Sequence, residues 1–542
     1  MGNSHVAMFT EENGMYDVVF EGCTVVDGSG GRGFVADVAV QDGKIAAIGA
    51  LAHVEAQRKV CGAGKVLAPG FIDIHTHSDL PLLVNPRAES KVRQGVTTEV
   101  IGNCGLGPAP LTPDTRDEIR ETSTFLAKGS AELGWDWLRF GEYLDTIEKN
   151  SVALNVVPLV GHTPLRMAAM GMDRRPAEPG EIAQQQQLLR ESLDDGAFGM
   201  SSGLIYPPSS YSDTEELVSL ANVAHEYGAL YFSHIRGEGD TLLRAVAEAI
   251  EIGERADVSV EIAHHKATGR NNWGKVRDAT LQSERAQDRN VNVNYDVYPY
   301  TAGSGGLDQV VPNWAKEGGT GAMLARLNDP NTYAQLRAEA DADGREWDSF
   351  YLVWIDTEAF KQYEGQDFAA IGQSLKLHPL DAAFHLIMES RNKASMLAFS
   401  MSEEDVEYML AHPLGMVGSD GSSLAPYGPL SQGVPHPRNY GTFPRVLQVY
   451  VRERNVLTLE QAVRKMSGAP AEKLGLADRG FVHSGLDADL VLFDPESVTE
   501  NATFGDPHQY PSGIDLVMVN GVVVVDDGEH TGTLPGKVLR KN

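Results

Sequence analysis

Between residues 71 and 417 the chain repeats one alternation, a short apolar, β-branched run followed by a longer segment with helical spacing. That alternation implies βα units and a parallel sheet. Eight such runs occur, at 71–74, 98–101, 156–160, 198–201, 230–232, 259–262, 291–295 and 415–417. Eight units in one chain predict an α/β fold, a TIM-like (β/α)8 barrel. Helical patterns cover 179–194, with a four-glutamine run read as a solvated face, then 213–226 and 241–254. In the second of these Asp213 stands as N-cap, and Glu216 at the third helical position is expected to complete a capping box.

The two ends of the chain follow another pattern. Short strands are predicted at 16–20, 23–26, 35–40 and 44–48, broken by Asp27-Gly28 and Asp42-Gly43, and again at 488–493, 515–519 and 521–525, with Asn520-Gly521 as a turn. With no helical pattern between them, the two sets are expected to pair into one small β-sandwich formed from both termini. The resulting division is 1–68 for the N-terminal part of the sandwich, 69–476 for the catalytic barrel and 477–542 for the C-terminal part. Strands seven and eight lie more than 110 residues apart, beyond an ordinary connection. Residues 303–412, with helical patterns at 322–327 and 379–390, therefore read as an insertion able to cover the barrel mouth as a lid.

Composition narrows the partners. Lys plus Arg total 45 against 75 Asp plus Glu, a net charge of −30 spread along the chain. Such a surface repels nucleic acid and anionic membrane, so neither is an expected partner. Only Cys23, Cys61 and Cys104 occur, which argues against a disulfide framework and for a reducing compartment, the cytoplasm. Residues 1–20 offer no apolar segment behind a basic start, and no later stretch has the roughly 18 apolar residues of a membrane span.

In a (β/α)8 barrel the active site lies at the carboxyl ends of the strands, so the residue that follows each strand is the informative one. Strand one runs into His75 and His77, whose spacing of two puts both imidazoles on one side of an extended chain. Strand two is followed by Cys104, strand three by His162, strand five by His234, strand six by His264 and strand eight by Asp420. Five of the 16 histidines thus fall at predicted strand ends. Imidazoles with a thiolate form a borderline-soft donor set that suits Zn²⁺ better than Mg²⁺ or Ca²⁺. Cys104 sits between Gly102 and Gly105, where the backbone can approach closely. His162 finds no obvious ligand position left, and either positions a substrate or satisfies a backbone group. Asp420 reads as the proton handler, because zinc lowers the pKa of water from about 15.7 to roughly 7 and a neighbouring carboxylate takes the proton. Arg236 and Arg438 are further cations that either grip a carboxylate in a fork or pair with one of the chain's many acids.

The HxH after strand one, single histidines after strands five and six, Asp after strand eight and a terminal β-sandwich resemble the amidohydrolase superfamily. More narrowly, Gly102-Asn103-Cys104-Gly105, Ser233-His234-Ile235-Arg236, Ala263-His264-His265-Lys266, Tyr298-Pro299-Tyr300-Thr301-Ala302-Gly303-Ser304 and Gly418-Ser419-Asp420-Gly421 resemble the N-acyl-D-amino-acid deacylases, or D-aminoacylases. That resemblance implies a zinc site in which a cysteine replaces the carboxylated lysine of many binuclear relatives. Cys104, His234 and His264 would hold one tightly bound zinc, His75 and His77 a second, weaker metal position, and Asp420 would act as general base and acid. Lys266, Tyr298 and Ser304 would hold the α-carboxylate of a small N-acyl amino acid, with Tyr206 at the acyl carbonyl. The implied reaction is amide hydrolysis of N-acyl-D-amino acids, the D configuration resting on the resemblance alone. Two rivals are a cyclic-amide hydrolase of the dihydropyrimidinase or dihydroorotase kind, which a lysine at the end of strand four would favour, and a non-catalytic binding subunit on the same fold.

Overall fold

The computed structural model describes residues 15–51, 53–123, 133–342 and 344–541; the expectation for the chain start reaches into residues 1–14, outside that set. The described chain begins with β1 (Tyr16–Val25), β2 (Phe34–Gln41), β3 (Lys44–Gly49), β4 (Ala56–Cys61) and β5 (Val66–Pro69). It continues through β6 (Phe71–Asp73), β7 (Val96–Ile101), β8 (Asn155–Pro158), β9 (Val160–Gly161), β10 (Gly199–Gly203), β11 (Leu230–His234), β12 (Ser259–Ile262) and β13 (Val293–Val297). Next come β14 (Ala302–Gly306), β15 (Phe350–Ile355), β16 (Ala394–Phe399) and β17 (Gly415–Val417). The chain closes with β18 (Leu490–Phe493), β19 (Ile514–Val519), β20 (Val522–Asp526) and β21 (Glu529–His530).

Strands β6–β7–β8 pair in parallel, as do β9–β10–β11–β12–β13–β17. Only Leu159 separates β8 from β9, so strand three serves both groups. At the other seam Thr76 bridges Gly421, and Asp420 donates its N–H to the His75 carbonyl at 2.8 Å. Eight parallel strands thus neighbour one another around a ring, as the alternation predicts. Every residue of β7 and β11 is buried, the signature of strands covered on both faces.

Helices Pro179–Asp194, Thr214–Glu226 and Leu242–Ala256 follow three of the strands. Asp213 caps the second of them by accepting from Glu216 N–H. Glu216 does not return the favour, because its buried carboxylate is taken by His162 at 3.1 Å and by Arg166; a buried charge needs such partners more than an exposed cap needs a second bond.

The terminal strands share one nine-stranded sheet, in the order β21–β20–β19–β18–β5–β1–β2–β3 with β4 also on β1. Tyr16–Glu21 of β1 pairs with β4, whereas Thr24 and Val25 pair with β5, so the sheet branches at β1. Phe20, Val38, Leu490 and Met518 from both ends of the chain join in its core.

Residues beyond β13 hold an antiparallel sheet, β14–β16–β15, where the sequence predicts helices alone. Its strand β14 is Ala-Gly-Ser-Gly-Gly, with no β-branched residue to announce it. This unit has its own core, including Leu307, Leu336, Leu352, Phe368 and Ile387. Helix Glu403–Ala411 packs on β13 and β17 instead.

Candidate metal centre

The end of β6 delivers His75 and His77, and the seam with β17 brings Asp420 to meet them. Asp420 Oδ1 lies 3.0 Å from His77 Nε2 and 3.6 Å from His75 Nε2, while Oδ2 lies 2.8 Å from an Arg438 nitrogen. Cys104 Sγ is 3.3 Å from both His75 Nε2 and His264 Nε2. Donor atoms of His75, Cys104, His264 and Asp420 all fall within 4.8 Å of one another, as do those of His234, Glu238 and His264. The expected trio of Cys104, His234 and His264 is divided between the two sets: Cys104 falls with His75 and Asp420, His234 with Glu238, and His264 belongs to both. Cys104, His264 and Asp420 adopt φ of +56°, +34° and +50°, a region that costs a non-glycine residue about 1–3 kcal/mol. Backbone held this way at three strand ends aims side chains that an extended backbone would point elsewhere.

The donor set fits a zinc ion. From bonds of about 2.3 Å to sulfur and 2.0–2.1 Å to nitrogen, tetrahedral ligands lie about 3.6 Å apart, close to the Sγ–Nε2 separations here. Both ring nitrogens of buried His234, and Nδ1 of His77, have no hydrogen-bond partner, a cost of about 1–3 kcal/mol per group unless something accepts them. Burial opposes a thiolate at Cys104, but His75 and His264 outweigh it and hold its pKa well below the usual thiol range. Burial likewise opposes charge on His77, yet Asp420 and Cys104 raise it to about 9. At His264 burial and Lys266 oppose charge, and Cys104 and Asp420 again raise it to about 9. The buried anions thus call for positive charge, and a bound dication meets that demand while displacing the protons.

A cavity opens beside this cluster, lined by His77, Tyr206, His234, His264, Lys266, Tyr298, Ser304, Asp420 and Arg438 among others. Lys266 Nζ donates to Glu238 Oε1 at 2.6 Å and lies 2.6 Å from His264 Nδ1. Tyr298 lies between two cations, with Lys266 5.4 Å and Arg438 5.0 Å from its ring centre. Tyr206 packs edge-on against His234, ring centres 5.0 Å apart. Ser304 reaches the cavity from β14 and donates to the Met396 carbonyl at 3.1 Å.

A sequence profile of the amidohydrolase family matches residues 63–525. The chain belongs to the amidohydrolase family. It is 38% identical over 525 residues to an N-acyl-D-aspartate deacylase from Alcaligenes xylosoxydans xylosoxydans, covering 96% of this chain and 95% of that protein. It is 36% identical over 530 residues to a D-aminoacylase from the same organism, covering 97% and 98%. A crystal structure of N-acyl-D-glutamate deacylase from Bordetella bronchiseptica, complexed with zinc and a phosphonate mimic of the tetrahedral intermediate, superposes with a TM-score of 0.83. The two are 34% identical, over 97% of this chain and 100% of that one.

Within this amidohydrolase two expected residues stand apart from the cavity. Arg236 is clamped by Glu248 at 2.8 Å and by the Ser210 carbonyl at 3.1 Å, because helix Leu242–Ala256 presents Glu248 to it. His162 is buried between Ser209 Oγ at 2.8 Å and Glu216 at 3.1 Å, which leaves neither ring nitrogen free. Two acids escaped the sequence reading. Glu238, four residues after His234, meets His264 Nδ1 at 3.1 Å; that spacing was its only signal. Asp296, a buried carboxylate in strand Val293–Val297, sits 3.1 Å from His75 Nδ1 and accepts from the His264 backbone N–H at 2.9 Å. Both fix the orientation of imidazoles whose other nitrogen faces the cluster.

Proposed function

We propose that the chain hydrolyses the amide bond of N-acyl-D-amino acids with a zinc ion bound at this cluster, releasing a D-amino acid and a carboxylate. The observation that carries this reading is one cavity in which a buried thiolate, imidazole and carboxylate cluster opens beside two cations, Lys266 and Arg438. Cys104, His234 and His264 hold the tight ion, and His75, His77 and Asp420 frame a second, weaker position. When bound, zinc polarises an acyl carbonyl and makes water acidic near neutral pH.

The chain's own residues supply the rest. Asp420, kept ionised by Arg438 and His264 against the effect of burial, accepts the proton of the attacking water. It then returns that proton to the departing nitrogen. Tyr206, whose hydroxyl burial keeps protonated, donates to the oxyanion. Lys266, with Tyr298 and Ser304, holds the α-carboxylate through charge-assisted bonds, about twice as strong as neutral ones. Among the described residues β10 carries only Gly, Met and Ser, so the lysine that would favour a cyclic-amide hydrolase is absent from that strand. Cys23, Cys61 and Cys104 are unpaired, which supports a cytoplasmic location, and no described helix is long and apolar enough to cross a membrane.

Zinc-loaded protein incubated with N-acetyl amino acids of both hands tests this reading. Release of free amine from D substrates, lost with chelator and restored by zinc, is the expected result. Opening of dihydrouracil or hydantoin rings in the absence of D-substrate hydrolysis would overturn it.

A further inference from the structure

We infer that this site selects N-acyl-D-amino acids with an uncharged side chain and rejects aspartate- and glutamate-like ones, Gln309 being a specificity-determining residue. The inference rests on the function proposed above and adds the substrate class. Charge balance is its first support. Among the described residues the lysines and arginines lining the cavity are Lys266 and Arg438, and its lining carboxylates are Glu238 and Asp420. They stand in two pairs, at 2.6 and 2.8 Å, and sum to zero. The lining thus offers two cations, each already paired; the α-carboxylate draws on Lys266, and a second carboxylate finds no unpaired cation in the lining, a costly way to bury a charge.

The wall built by the insertion is the second support. Gly303–Gly306 of β14, Val353 and Met396 form it together with Gln309. The Gln309 amide lies directly over Gly305, where a Cβ would come 2.1 Å from Nε2. Among the described residues that amide has no hydrogen-bond partner, and it lines the cavity with no charge to offer. Lys316, the nearest lysine along the same segment, is paired with Asp308 at 3.2 Å and does not line the cavity. Leu106 and Ile205 make further wall apolar. Neutral amide and aliphatic surface accept leucine-, methionine- or glutamine-like side chains. An anionic side chain gains from the amide only a neutral-donor bond.

Zinc-loaded protein is assayed with N-acetyl-D-leucine, D-methionine, D-glutamine, D-aspartate and D-glutamate. Expected is a kcat/KM for the neutral set at least about 100-fold above the acidic pair. Gln309→Arg should narrow that ratio at least about tenfold, and Gln309→Glu should widen it. Acidic substrates cleaved as fast as neutral ones would overturn the inference and leave the deacylase reading standing. If no D substrate is cleaved, the deacylase reading fails. Calorimetric binding of N-acetyl-D-leucine and N-acetyl-D-glutamate then decides selectivity alone: preference for the former supports it, and equal, reversed or absent binding overturns it.

Discussion

Replacing Lys91 with Met should destabilise the protein through two carboxylates that never touch substrate. Lys91 is fully buried beneath the metal centre, its Nζ 2.8 Å from Asp73, 2.6 Å from Ser419 Oγ and 3.4 Å from Glu99. Asp73 in turn accepts from Ser419 N–H at 2.8 Å, and Glu99 from Ser78 and Ser423 hydroxyls at 3.0 and 2.9 Å. Burial pushes Glu99 up, and Lys91 opposes that push. Lys91→Met keeps the shape of the stem and strands both acids, a loss of about 3–5 kcal/mol. For 542 residues the unfolding entropy is about 1.1 kcal/mol per kelvin, so Tm should fall by about 3–4 °C in scanning calorimetry. Because Ser419 adjoins Asp420, kcat should fall at least about tenfold as well. Adding Asp73→Asn and Glu99→Gln to Lys91→Met should recover most of the stability. An unchanged Tm in the single variant, or a further fall in the triple, would refute the reasoning.

Cys104→Ala should leave less than one zinc per chain after dialysis, measured by plasma mass spectrometry; full occupancy would contradict a thiolate ligand. Asp296→Asn removes the charged acceptor behind His75 and should weaken metal affinity about 10–100-fold in competition with a chromophoric chelator. Glu216 tests the His162–Arg166 cluster: burial alone would raise its pKa, but His162 and Arg166 lower it to about 2 from 4.5. A carboxylate depressed in the folded state contributes stability that is full above pH 4.5 and is lost as pH falls through 2. Glu216→Gln should therefore cost about 3 kcal/mol in urea unfolding at pH 7. That gap should close steadily below pH 4.5, and a gap independent of pH would refute the assignment.

The barrel strands were legible because a parallel strand buried on both faces must be an apolar run, and because ligands in such a ring must follow the strands. The short spans 71–74 and 415–417 needed no more than that. The β14–β16–β15 sheet was not legible, since Ala302–Gly306 carries no strand propensity and is defined by a partner some ninety residues away. Glu238 and Asp296 were hidden for a related reason: an acid's neighbours along the chain do not say which histidine it will meet. Arg236 is the reverse case, a cation beside a site histidine for which the sequence left two roles open, its fork being filled by Glu248 from the following helix. Glu216 shows a local signal overridden, its capping geometry yielding to a buried ion pair with Arg166.

The central claim is that strand ends far apart in sequence converge to hold one catalytic zinc. Diffraction from crystals of the zinc-loaded protein, recorded on both sides of the zinc absorption edge, tests it most directly. The account predicts an anomalous peak about 2.3 Å from the Cys104 sulfur and about 2.0–2.1 Å from ring nitrogens of His234 and His264. No peak there, with Cys104 unliganded, would contradict it.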